Sequence, residues 1–305
     1  MTAPSAAPLS KVQTFLRRTS STVFLWALVT GVFVSGWVWA FLGMIGLLIL
    51  IATIEYFQMI RADKLPCFPR FGVFCALAYC TAQYIPLTQG KLPHSQLDVV
   101  AVSAVAIGSF ILQLRYKIVG INSLLAVAVN LLGFVYIAIM FNFAVKILFL
   151  PQSSLETPGH LPPASAFILL WLIAVTKFTD MGAYLTGSLI GRNKMIPHIS
   201  PGKTWEGFVG GLFFAQLAGF GLFMYFPNQL AILSGPTHVA VLGLIMAILA
   251  VVGDLAESVV KRSLRAKDSG HMLPGIGGSL DLIDSICFTA PALYLYIRLV
   301  ILPTA

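Results

Sequence analysis

Residues 23–60 read VFLWALVTGVFVSGWVWAFLGMIGLLILIATIEYFQMI, a run in which Glu55 is the only charge. A helix rises about 1.5 Å per residue and crosses about 30 Å of hydrocarbon in about 20 residues, so this run is too long for one span. Val34–Trp37, VSGW, offers a place to turn, and two helices are expected, at about 21–35 and 38–59. The same reading predicts helices at about 70–86 (ended by Pro86), 97–114, 118–150, 164–186, 205–226, 237–256 and 282–302. With 58% hydrophobic and 10% charged residues and a mean hydropathy of +0.90, the chain lacks the polar surface of a soluble protein of its size. The blocks also lack the alternation of a membrane barrel, so helices must close their own hydrogen bonds. The expected fold is an all-α polytopic integral membrane protein of about nine transmembrane helices.

Charge sets the orientation. Fifteen basic residues fall in five groups between apolar blocks: Lys11, Arg17 and Arg18; Arg61, Lys64 and Arg70; Arg115 and Lys117; Arg192, Lys194 and Lys203; and Lys261, Arg262, Arg265 and Lys267. All five share one side if 118–150 crosses once and its tail, FAVKILFL, lies near the outer interface. This puts the N-terminus in the cytoplasm and the C-terminus outside. The expected location is the inner (cytoplasmic) membrane, multi-pass. The formal net charge of +8 therefore reads as a topology signal and an attraction to membrane lipid, with no nucleic-acid partner. The opening MTAPSAAPLSKVQTFLRRTS is too polar, and the apolar run after it too long, for a cleaved signal. Cys67, Cys75, Cys80 and Cys287 form no CxxC and no cluster with His, so they read as small buried hydrophobes.

Acids divide the chain. Glu55, Asp63, Asp98 and Glu156 are scattered, whereas the other seven of eleven follow residue 179. Residues 1–150 are expected to be a lipid-facing scaffold and 151–305 the catalytic half, joined by the outer loop PQSSLETPGHLPP.

Five acids lie in GDLAESVVKRSLRAKDSGHMLPGIGGSLDLIDS, residues 253–285. Asp254 and Glu257 share a helix face with Lys261, and Asp281 and Asp284 repeat the three-residue spacing at the start of the last helix. Carboxylates at such depth are costly unless paired, hydrated or metal-bound. Glu257 has Lys261 as an ideal partner, and Asp180 has Lys177 one turn before it. LDLID, by contrast, supplies no cation. A divalent cation would relieve the mutual repulsion, and oxygen donors without a His or Cys cluster favour Mg2+ over zinc. Between the acids, Gly275, Gly277 and Gly278 bring backbone N–H groups near a ligand or make a tight turn. The neither-Walker, neither-dinucleotide spacing names no nucleotide fold. A second loop, GRNKMIPHISPGKTWEG, residues 191–207, offers Ser200, Gly202, Lys203 and Thr204 to phosphate oxygens, with Glu206 in the next helix's first turn. His198 and His271 read as incidental.

These two loops resemble the phosphatidate cytidylyltransferase (CDP-diacylglycerol synthase) family. The likeness rests on SVVKRSLRAKDSGHMLPGIGGSLDLID, residues 258–284, and TDMGAYLTGSLIGRNKMIPHISPGKTWEG, residues 179–207. The chain departs from the family pattern at Ile276 and Leu282, where His and Arg are usual, and at Ser279, where a hydrophobic residue is usual. The resemblance implies transfer of CMP from CTP to phosphatidate with release of pyrophosphate, on the cytoplasmic side. It implies Asp254, Asp281 and Asp284 nearest the metal, with Asp268 a further ligand or orienter. Asp268, Asp281, Asp284 and Lys267 are the implied catalytic group. Ser200, Lys203, Thr204, Lys261, Arg262, Lys267, Gly277 and Gly278 are assigned to the substrates, with Asp180, Glu206 and Glu257 in support. The competing readings are an ion-coupled transporter and an enzyme for another lipid, either a prenol kinase or an ether-lipid cytidylyltransferase. A purely structural protein has little use for so many acids. The frequency of cyclic symmetry among oligomers allows a homodimer.

Overall fold

The structure, a computed structural model, describes residues 23, 26–150, 159–266, 269–270 and 277–302. Lys267, Asp268 and Ile276, and residues 151–158 of the expected outer loop, lie outside the described residues. Nine helices stand among the described residues: α1 (Trp26–Ser35), α2 (Val38–Ala62), α3 (Pro69–Thr88), α4 (Leu97–Gln113), α5 (Asn122–Leu148), α6 (Pro163–Ile190), α7 (Trp205–Tyr225), α8 (Pro236–Ser263) and α9 (Ser279–Ile301). Seven are long and apolar enough to cross a membrane; α1 and α4 are shorter apolar helices. The protein is an all-α polytopic membrane protein. Its one sheet among the described residues is a hairpin, β1 (Lys194–Ile196) against β2 (Ser200–Thr204), which the apolar periodicity did not foreshadow.

Local chemistry sets the boundaries. The α1–α2 joint falls in VSGW, where Gly36 takes φ +64° and its carbonyl accepts from Leu161 N at 2.7 Å. α3, α6 and α8 open on proline, which needs no N–H in a first turn. α2 and α8 end alike. Beyond α8, Arg265 turns left-handed (φ +51°), and Ala266 N and Arg265 N bond Lys261 O at 2.9 Å and Arg262 O at 3.1 Å. This double closure satisfies carbonyls that a helix end would leave open, and it turns the chain sharply back.

Residues 122–148 run as one helix containing a six-residue π segment, Phe134–Ile139. At about 1.5 Å per residue it spans about 40 Å, enough for one crossing and too short for two. The FAVKILFL tail stands beside residues 92–95, the connection into α4, and Arg298. Val145, Ile147 and Leu148 are buried in the bundle, and Lys146 pairs with Asp98, which also accepts from Tyr79 Oη at 2.9 Å and Gln83 Nε2 at 3.1 Å. Asp98 neutralises Lys146, and both side chains remain partly exposed.

α9 lies at the centre, packed on α8, α5, α6 and α2, with Leu280, Ile283, Ala290 and Leu293 fully buried. α6 and α7 approach through small residues; a Cβ at Gly211 would sit 3.0 Å from Thr179 O. Cys80 and Cys287 are buried and Cys67 and Cys75 partly so. Burial pushes the Cys67 thiol above its ordinary range, which keeps it protonated and inert.

Candidate active site

α6 and α8 each hold 28 residues, about 42 Å of helix, so about 12 Å exceeds the hydrocarbon thickness. Their charged ends converge with the starts of α7 and α9. Lys203, at the end of the hairpin, reaches Asp254 on α8 at 3.0 Å and donates to Val251 O at 3.3 Å. Lys261 joins α8 to α9, lying 2.7 Å from Glu257 Oε2 and 2.7 Å from Asp281 Oδ1. Lys177 joins α6 to α9 by donating to Leu282 O at 3.1 Å, with Asp180 at 3.7 Å.

Within this ring, oxygens of Asp254, Glu257 and Asp284 all lie within 4.8 Å of one another. Asp254 is partly open, while Glu257 and Asp284 are buried. Helical spacing puts Asp254 and Glu257 on one face, and close packing brings that face to α9. A Cβ on Gly253 would stand 2.8 Å from Asp284 O. Glu257 Oε1 is buried with no hydrogen-bond partner among the described residues. Three carboxylates with one orphaned oxygen and no nitrogen or sulfur donor are a fitting set for a hard divalent cation.

The trio differs in one member from the expected Asp254, Asp281 and Asp284. Asp281 stands beside it with both oxygens engaged: Oδ1 faces Lys261, and Oδ2 accepts from Gly278 N at 3.0 Å, closing the first turn of α9. Gly278 N–H is thereby committed to the helix start. Gly277 takes φ +118°, a region that side chains avoid. A Cβ at Gly278 would overlap Ser269 Oγ and approach Gly270 N to 2.9 Å, so the turn is too tight for alanine.

In the second loop, Thr204 is buried and its Oγ1 accepts from Gly207 N at 3.1 Å, capping α7. Glu206 turns back on the hairpin, accepting from Asn193 Nδ2 at 2.7 Å and from the N–H groups of Arg192 and Asn193 at 3.2 Å. Both tie the hairpin to α7. Ser200 is partly exposed, Arg262 is exposed, and Asp180 is about a third exposed at 33%.

Sequence reasoning passed over three groups beside this site. Glu55 on α2 is fully buried and accepts from Leu280 N at 3.2 Å. As the only charge in its apolar run it carried a signal, because an ionisable group in a span is a functional candidate. Tyr136, in the π segment, buries a hydroxyl without a hydrogen-bond partner among the described residues, within electrostatic reach of Asp284, Glu257 and Asp254. Nothing in its sequence context marked it. Lys177 was weighed only as the partner of Asp180.

Comparison with known proteins adds to this geometry. The chain is 34% identical over 166 residues to an uncharacterized protein of Escherichia coli, covering 54% of this chain and 52% of that protein. It is 36% identical over 159 residues to a phosphatidate cytidylyltransferase of Haemophilus influenzae (50% and 54%). It is 44% identical over 130 residues to one of Staphylococcus aureus (42% and 45%). The matched part spans about half the length of these relatives. A profile of the cytidylyltransferase family matches residues 16–300, nearly the whole chain; the chain belongs to the cytidylyltransferase family.

Proposed function

We propose that this protein is a CTP:phosphatidate cytidylyltransferase, forming CDP-diacylglycerol and pyrophosphate at the cytoplasmic face of the inner membrane. The observation that carries the reading is the meeting of Asp254, Glu257 and Asp284 within 4.8 Å, ringed by Lys203 and Lys261 at the convergent ends of α6 to α9. The family relationship and the names of the relatives support it. The cytoplasmic orientation rests on the bias of Lys and Arg to one side.

A lipid phosphate oxygen attacks the α-phosphorus of CTP, a new P–O–P bond forms, and the bond to the β-phosphate breaks as pyrophosphate leaves. Asp254, Glu257 and Asp284 would hold Mg2+, which when bound draws phosphate oxygens together and offsets the charge on the departing pyrophosphate. Lys203 and Lys261 stand beside the trio as donors for phosphate oxygens, and Arg262 extends the positive surface outward. Asp281 keeps Lys261 in place and starts α9. No covalent nucleophile is required, because the phosphate monoester is ionised near neutral pH and carries its own attacking oxygen. Lys267 and Asp268, between the two acidic clusters in sequence, are proposed for the triphosphate and for orienting the metal.

The test is purified protein in lipid micelles with labelled CTP, phosphatidate and Mg2+. Lipid-dependent pyrophosphate release with a CDP-lipid product is expected. Phosphate transfer from ATP without reaction of CTP would replace the reading with a lipid kinase, and nucleotide-independent ion flux in vesicles would replace it with a transporter. Ether lipids in the same assay define the lipid class.

A further inference from the structure

A groove of about 470 Å³ runs between α2 and α3. Its volume falls in the range of about 300–1,000 Å³ usual for ligand pockets. Ile54, Phe57, Val73 and Leu77 line it, and Arg61 and Arg70 stand at one end. The Phe57 ring packs directly on α3, since a Cβ at Gly72 would overlap it. Spacing sets the face: Ile54, Gln58 and Arg61 follow one another at four and three residues and form one stripe of α2.

The two arginines are poorly compensated. Both are exposed, and neither has an ion-pair partner among the described residues. Arg61 is in the last turn of α2, where helix carbonyls favour a cation. Arg70 has the reverse setting. It occupies the first turn of α3, which has no acidic residue and no side-chain cap, so the guanidinium adds to the positive end of the helix. Snorkelling of each arginine to the headgroup level accounts for exposure. It does not account for their convergence on one recess with an uncapped helix start. Forked guanidinium donors and open N–H groups above an apolar channel are complementary to a phosphate carrying an acyl chain.

We propose that this groove holds one anionic phospholipid from the bilayer, with a chain between α2 and α3 and its phosphate between Arg61 and Arg70. This site is separate from the carboxylate trio and does not depend on the reaction assigned there. The lipid closes a recess that hydrocarbon must fill and supplies the missing counter-charge.

The experiment reconstitutes the full chain in vesicles of equal phosphatidylglycerol and phosphatidylcholine, extracts it in mild detergent, and counts retained lipid by native mass spectrometry. Wild type should retain one phosphatidylglycerol in preference to phosphatidylcholine, and each of Arg61→Gln and Arg70→Gln should weaken retention by about fivefold. Leu77→Trp fills the groove and leaves both charges, so it should displace the lipid even if an arginine variant fails to fold. Equal retention of the two lipids, or retention unchanged in the double arginine variant and in Leu77→Trp, overturns the proposal. So does displacement of the lipid by millimolar-level inorganic phosphate, which would make the ligand a free anion. Cross-linking of Phe74→Cys into a dimer that carries no lipid would assign the groove to a second copy of the chain, also against the proposal.

Discussion

Glu55 and Leu280, 225 positions apart, are joined by a hydrogen bond of 3.2 Å from the Leu280 N–H to the Glu55 carboxylate. Helix α2 thus anchors the start of the helix that carries Asp281 and Asp284. Glu55→Ala leaves that N–H without its acceptor and should cost about 1–3 kcal/mol. Glu55→Gln keeps an acceptor oxygen and should cost less. Thermal unfolding of the detergent-solubilised variants measures both; an unchanged midpoint for the alanine variant would contradict an anchoring role.

Asp254→Asn and Asp284→Asn remove charge from the trio, and each should reduce Mn2+ binding and CMP transfer by about 10-fold or more. Asp281→Asn should act differently. It loosens the Lys261 pair and the first turn of α9, at about 0.5–2 kcal/mol, while Mn2+ binding by paramagnetic resonance stays near wild type. Loss of Mn2+ binding in Asp281→Asn would return Asp281 to the metal.

Gly278→Ala sets a methyl group against Ser269 and Gly270, and overpacking of this kind costs about 1–3 kcal/mol. Gly202→Ala meets nothing within 4 Å and should leave stability unchanged. Comparing the two melting midpoints, together with CMP transfer, separates a tight turn from a general intolerance of added carbon in glycine-rich loops.

Thr204→Val removes the oxygen that caps α7 and should cost about 0.5–2 kcal/mol, with Thr204→Ser restoring it. Because Lys203 adjoins that cap and pairs with Asp254, the valine variant should also raise the KM for CTP more than it lowers kcat. A pure kcat loss would place Thr204 in the chemistry itself.

Much of the architecture was legible before any coordinates. Apolar length decides helical spans, so the joint at VSGW and the single crossing of residues 122–148 agree with expectation. The i, i+3 spacing of Asp254 and Glu257 likewise required a shared face. The hairpin was harder to see: its strands hold three and five residues, too few for alternation to stand out beside long helices. The partner of Lys146 was equally hidden from local pattern, because Asp98 lies 48 residues earlier.

Composition and spacing alone determined a helical membrane chain with its acids gathered late and its cations on alternate connections, because hydrocarbon thickness and helix periodicity act on local sequence. Tertiary packing alone decided that Glu257 joins Asp254 and Asp284 while Asp281 turns to Lys261 and the α9 start. It also brought Glu55 and Tyr136 from the presumed scaffold to the edge of that site. The physical reason is that a carboxylate's partners are set by distances between helices, and those depend on how small residues such as Gly253 let the helices approach.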